Sequence, residues 1–168
     1  MTAVASKGTA VVTLPSNSQI LITRTFDAPR HLIYKAWTTP DLIRRWWSAN
    51  RGTVTVADVD LRVGGMWRWV MVTEEGFEVG FHGEYRELVP NERIVCTEIY
   101  EGFPEADAAA VNTMTLTENE GRTTLTILVQ HMNQQHRDAH ISSGMEGGMQ
   151  DAMDLLEQVA IALNNGDI

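Results

Sequence analysis

Between Thr53 and His131 the chain is written in period two. Six segments, TVTVADVD (53–60), MWRWVMVTE (66–74), FEVGFHGEYRELV (77–89), ERIVCTEIYE (92–101), VNTMTLTE (111–118) and RTTLTILVQH (122–131), alternate or run apolar with β-branched and aromatic residues. The turn compositions VGG, EEG, PNE, GFPEAD and NEG separate them. Connections this short join antiparallel neighbours, because a parallel pair needs a crossover of a dozen or more residues. The pattern therefore predicts a large antiparallel meander, and the rest of the chain must cover one of its faces.

The flanks supply that cover. AVVTL (10–14) and ILITRTF (20–26) read as a hairpin across PSNSQ. In DAPRHLIYKAW (27–37) Asp27 can cap, Pro29 lies near the first helical position, and Leu32/Ala36 and Ile33/Trp37 are apolar pairs four apart. Thr39 and Pro40 open a second short helix, with Leu42/Trp46 and Ile43/Trp47 on its apolar face. The last helix begins near SSGMEGG, where Ser143 and Glu146 have capping-box spacing. Met145, Met149, Ala152, Leu156, Val159, Ala160 and Leu163 form its apolar stripe, with Asp151, Asp154 and Glu157 on the other side. At 1.5 Å per residue it is about 27 Å long, and its stripe has only the sheet to lie against. The expected class is α+β: a helix-grip roll, with a curved antiparallel sheet wrapped around a long C-terminal helix and two short helices after the first strands. One domain over 1–168 is expected, with 1–8 flexible.

Several function classes fall away on composition. No apolar run reaches the roughly 18 residues of a membrane span, and MTAVASKGTAVVTLPSNSQ has neither a basic opening nor a continuous apolar core of the secretory type. A net charge of −9 opposes a phosphate backbone, and the one basic cluster, Arg44-Arg45 with Arg51, is short. The single cysteine, Cys96, cannot form an internal disulfide, which suits a reducing cytoplasm. The expected location is cytoplasmic. The expected partner is an apolar small molecule, not nucleic acid or a membrane, with homodimerisation left open.

The chain resembles the START-like (SRPBCC, Bet v 1-like) superfamily, and within it the group similar to the C-terminal domain of the activator of Hsp90 ATPase. The matching motifs are F-D-A-P at 26–29, A-W-T at 36–38, T-P-D-L at 39–42 with R-W-W at 45–47, D-L-R-V-G-G-M-W-R at 60–68, G-E-Y-R-E-L-V-P-N-E-R-I-V at 83–95 and G-M-E-G-G at 144–148. One departure is Met149, where relatives often carry a tryptophan after the paired glycines. The resemblance implies a cavity between the long helix and the sheet that takes hydrophobic small molecules, reshaped here at Met149.

Strand parity gives that cavity walls. Trp67, Trp69 and Met71 share one face of their strand, and Phe77, Val79, Phe81 and Tyr85 share one face of the next, with a gap at Gly83. Met145, Met149 and Met153 face them from the helix as adaptable side chains, and Gly147-Gly148 allow close approach. Trp37 and Trp46 take core positions, and Trp47, about 100° further round, borders the cavity mouth. The expected ligand-binding residues are Trp47, Trp69, Met71, Phe81, Met114, Met145, Met149 and Met153. Taken alone, the same pattern marks a solid core more often than a pocket, and the resemblance brings the two readings level.

Catalytic chemistry has one weak candidate. Glu98 shares parity with Ile94, Cys96 and Tyr100 and so can point inward, but both faces of that strand are partly apolar and an exposed sheet glutamate is the commoner case. His82 and Arg68 have outward parity. His136 and His140 are four apart, and with His131 they invite a metal reading, but a metal site needs three or four ligands with a supporting shell. No metal and no cofactor are expected. The favoured function is carriage or sensing of a hydrophobic small molecule. The alternatives are a cyclase- or hydrolase-like enzyme in the same cavity, centred on Glu98, or a chaperone-regulating interaction module. Because the chain has no room for the second domain of eukaryotic activators, it is not expected to stimulate an Hsp90 ATPase.

Overall fold

The computed structural model describes residues 2–4, 10–102 and 109–168. Nine strands lie in one sheet among these residues: β1 (Thr2–Val4), β2 (Val11–Leu14), β3 (Gln19–Phe26), β4 (Gly52–Val59), β5 (Met66–Thr73), β6 (Glu78–Val89), β7 (Arg93–Tyr100), β8 (Ala110–Asn119) and β9 (Arg122–Gln130). The order β1-β2-β3-β9-β8-β7-β6-β5-β4 makes β4 to β9 a meander, and the N-terminal hairpin closes onto its last strand. Every pairing is antiparallel. Register shifts between Val54 and Val56 on β4 and between Tyr85 and Glu87 on β6 mark irregularities of the kind that bend a strand and raise its twist.

Helices α1 (Arg30–Thr38) and α2 (Pro40–Trp46) carry the chain from β3 to the far edge at β4. Pro40 occupies the first turn of α2, where its missing N–H costs nothing. The side chains of Asp27 and Thr39 do not cap these helices: Pro29 and Thr39 take the N-cap positions, in extended conformation and with no side-chain cap bond. After β9 come α3 (Gln134–Ser142) and α4 (Met145–Asn165). The side chain of Asn133 caps α3 by accepting from the His136 N–H at 2.8 Å.

Helix α4 buries Ala152, Met153, Leu156, Val159 and Ala160. Its start corrects the expected capping box. Gly144, with φ of 80°, is the N-cap in the left-handed region that favours glycine, and the Ser143 hydroxyl instead donates to the His140 carbonyl at 2.6 Å.

Two buried polar contacts pin α4. Arg24 has inward parity on β3 and is 3% exposed, and its guanidinium meets Asp154 at 2.6 Å and Glu157 at 3.2 Å and lies 4.9 Å from the Phe26 ring centroid. Asp154 and Glu157 therefore do more than face solvent. Gln150, 2% exposed, accepts from the Ala10 N–H at 3.2 Å and donates to the Ala10 carbonyl at 2.8 Å. A side-chain amide thus satisfies one backbone unit of the N-terminal segment.

Two further expectations change. Phe77 is 70% exposed, because β6 begins only at Glu78 and Phe77 belongs to the preceding turn. The expected flexible segment 1–8 lies mostly outside the described residues; within it, Thr2–Val4 pair with Val12–Leu14. No helix among the described residues is long and apolar enough to cross a membrane.

Candidate functional site

The concave face of the sheet and α4 do not meet along their whole length. Between them lies a cavity of about 580 Å³, bounded by Trp46 and Trp47 from the end of α2, Trp67, Trp69 and Met71 from β5, and Val79 and Phe81 from β6. Met145, Met149 and Met153 close it from α4.

The aromatic wall is one connected cluster. Trp69 is its hub, with ring centroids at 5.2 Å to Trp67, 5.7 Å to Trp47, 5.9 Å to Trp46 and 6.5 Å to Trp37. Trp47 also meets Phe81 edge-on at 5.9 Å. Tilted and edge-to-face pairs at such separations are the favourable ones for aromatic quadrupoles. Trp46 donates to the Ala36 carbonyl at 3.0 Å and Trp67 to the Thr97 carbonyl at 3.2 Å. The buried Trp69 Nε1 has no partner.

The gap expected at Gly83 is filled by its neighbours. A Cβ there would stand 1.8 Å from the Thr97 carbonyl oxygen and 2.8 Å from Trp67 Nε1. Glycine is needed so that the Trp67 indole can cross β6 and reach β7.

A smaller recess of about 60 Å³ adjoins the cavity, sharing Trp37, Trp67 and Trp69 with it and bordered also by Tyr85, Met114 and Cys96. Glu98 and Asn112 face both the recess and the main cavity. They lie diagonally on paired strands, since Cys96 opposes Asn112 and Glu98 opposes Ala110. Burial pushes the Glu98 carboxyl up to about 7, against a smaller downward pull from its hydrogen bond with Asn112. Glu98 keeps part of its surface accessible and lines the cavity. Asn112 Oδ1 is buried without a partner. Burial also pushes the Cys96 thiol up to about 12, so it is protonated at neutral pH and a weak nucleophile.

The other end of the cavity is polar. Ser48, Ala49 and Arg51 border it from the α2–β4 connection, Ser143 and Gly144 from the α3–α4 junction, and Gly148 from the first turn of α4. Arg51 reaches Asp151 at 2.7 Å, with both side chains about half exposed, at 49% and 54%. Gly147 and Gly148 face this guanidinium: Cβ atoms there would lie 3.6 and 3.1 Å from its nitrogens. The glycine pair thus makes room for an arginine rather than for the sheet.

His131 and His140 line the same region, with Nε2 and Nδ1 3.0 Å apart. Burial lowers both imidazoles, and His131 falls to about 4, with smaller contributions from His140, His136 and Arg137. The pair is therefore neutral at pH 7 and shares one proton in its contact. Among the described residues no group of three or more His, Cys, Asp or Glu is arranged to hold a metal.

Trp47, Trp69, Met71, Phe81, Met145, Met149 and Met153 thus border the main cavity, Met114 borders the recess, and Glu98 faces both. Outward parity for His82 and Arg68 agrees with their meeting Glu101, at 2.8 and 2.9 Å. Sequence reasoning passed over Asn112, although its parity with Met114 carries the signal. It also passed over Arg51, which borders the cavity from a loop where no periodicity applies, and left Tyr100, on the Glu98 face of its strand, out of the ligand-binding set.

The family described as "Activator of Hsp90 ATPase homolog 1-like protein" matches residues 27–160. No curated protein matches the sequence significantly. Among solved structures, a protein from Rhodobacter sphaeroides superposes with a TM-score of 0.84 at 25% identity, covering 92% of this chain and 99% of that one. One from Chromobacterium violaceum gives 0.72 at 26% identity, with 84% and 96% covered. A third, from Nitrosomonas europaea, gives 0.79 over 92% and 100% of the two chains; at 20% identity it speaks to the fold alone.

Proposed function

The chain belongs to the Activator of Hsp90 ATPase homolog 1-like family, and from that premise we propose that it binds a hydrophobic small molecule in the cavity between the sheet and α4, as a carrier or sensor. One observation carries this reading: the cavity of about 580 Å³ walled by indoles and methionines. Ligand sites run to about 300–1,000 Å³, with mostly apolar walls and a few placed polar groups. A cavity of this size leaves its lining atoms without packing partners on one side. A ligand restores those contacts. The methionine side adapts to irregular shapes, and the indole side gives broad, stiff surface.

A second reading, acid–base catalysis at Glu98, draws on its burial, its raised pKa and its hydrogen bond with Asn112. Catalysis ordinarily asks for a second group that gives or takes the other proton. The neighbour of Glu98 is a neutral amide, which favours recognition over reaction.

The test is titration of an environment-sensitive apolar dye into the protein and into Met149→Trp. Binding by the parent should be saturable and stoichiometric. The variant should bind at least tenfold more weakly while melting within a few degrees of the parent, because the added ring enters empty space. In a solid core the same change would overpack and cost roughly 1–3 kcal/mol. No saturable binding by the parent, together with a strongly destabilised variant, would sink the proposal.

A further inference from the structure

We propose that the cavity is built for an apolar amine, whose ammonium head enters the recess beside Glu98 while its apolar body lies along the tryptophan–methionine wall. This rests on the binding reading above and adds the ligand's chemical class.

The recess holds about 60 Å³, room for a head group of a few heavy atoms but not for a ring system. Glu98 and Asn112 both offer it acceptor oxygens, beside the Tyr85 hydroxyl and the protonated Cys96 thiol. Among the described residues no Lys, Arg or His pairs with Glu98, whose partner is the neutral Asn112 amide. Arg51, the cation that borders the cavity, is held by Asp151 at the outer end.

A carboxylate taken out of water without a counter-charge is expensive. The ligand that repays most of that cost brings the counter-charge with it. An ammonium carries three donors and no acceptor, which matches the open lone pairs of Glu98 and the unpartnered Asn112 Oδ1. Trp37, Trp67, Trp69 and Tyr85 supply the aromatic part of the recess wall, and aromatic faces attract cations most strongly where water is excluded. The net charge of −9 draws cations toward the molecule in the first place.

An anionic head would meet the Glu98 carboxylate with like charge. A hydroxyl is the closer rival, since its oxygen could accept from the unpartnered Trp69 Nε1, but it leaves the carboxylate uncompensated.

Decylamine, decanol and decanoate share a chain and differ in the head, so calorimetric titration of each at pH 7.5 and 150 mM salt separates the cases. The amine should bind at least tenfold more tightly than the alcohol, and the alcohol more tightly than the acid. Glu98→Gln, which keeps shape and loses charge, should abolish the amine preference and retain decanol binding. Equal or tighter binding of decanol or decanoate by the parent would overturn the head-group assignment and leave the cavity reading standing. So would an amine preference that survives in Glu98→Gln. If none of the three binds, the cavity reading falls with it.

Discussion

Glu98 shows how one residue's setting becomes a measurable quantity. Its carboxyl is held at about 7 in the folded chain, against 4.5 for an unperturbed glutamate. Since the folded value is the higher one, the carboxyl costs nothing below about pH 4.5, and its penalty grows as pH rises through 7. A gap of this size amounts to about 3 kcal/mol at most. Glu98→Gln should therefore match the parent's stability near pH 4.5 and exceed it by up to about 3 kcal/mol at pH 8, as read by urea unfolding at both. Equal stability at pH 8 would mean the carboxyl is hydrated. His131 works in the opposite sense: its folded value of about 4 lies below 6.5, so its contribution is present above 6.5 and lost as pH falls toward 4. Strand parity allows an inward Glu98 in I-V-C-T-E-I-Y without selecting it, because both faces of that strand are partly apolar and an exposed glutamate is the commoner case. Phe77 shows the opposite failure. Its parity was assigned to a strand that starts one residue later.

At the scale of elements, two glycines with different neighbours should respond oppositely to the same methyl group. Gly83→Ala places Cβ 1.8 Å from a backbone oxygen of β7. Backbone in the middle of a sheet cannot step aside, and a loss of about 3 kcal/mol or more is expected. Gly148→Ala, inside α4, meets the far end of the exposed Arg51 side chain at 3.1 Å. That end can move, and alanine gains up to about 1 kcal/mol of helix propensity over glycine. Chemical denaturation of the two variants checks both signs, and a tolerated Gly83→Ala would mean that β6 and β7 are less closely paired than described. The strands of the meander and α4 were legible because period two and period 3.6 run long there. Helix α3 was not: QQHRDAHIS has few apolar residues and thus almost no stripe. It is short, polar and capped by Asn133, so local capping and its seat beside the cavity define it rather than any pattern of burial.

For the molecule as a whole, the sheet is wide and bent, and a single helix cannot fill its concave face. The sequence displays which residues face inward, but the space between them depends on curvature set by the irregularities at Val54/Val56 and Tyr85/Glu87, which the alternation pattern hides. Filling that space should stabilise the fold by linkage: a ligand at 100 times its Kd adds about 2.7 kcal/mol. For a chain of this size that is a rise in Tm of roughly 5–10 °C. A scan of Tm against dye or decylamine concentration should follow this logarithmic course, and a flat Tm at saturating dye would mean that the dye does not prefer the folded chain. All five tryptophans of the chain, Trp37, Trp46, Trp47, Trp67 and Trp69, border this one space, and the centroid separations linking them through Trp69 are 5.2 to 6.5 Å. Ultraviolet light absorbed by any one indole can pass among the others before it is emitted. The protein's intrinsic glow therefore comes from the cavity wall itself, and its colour and brightness register occupancy without any added label.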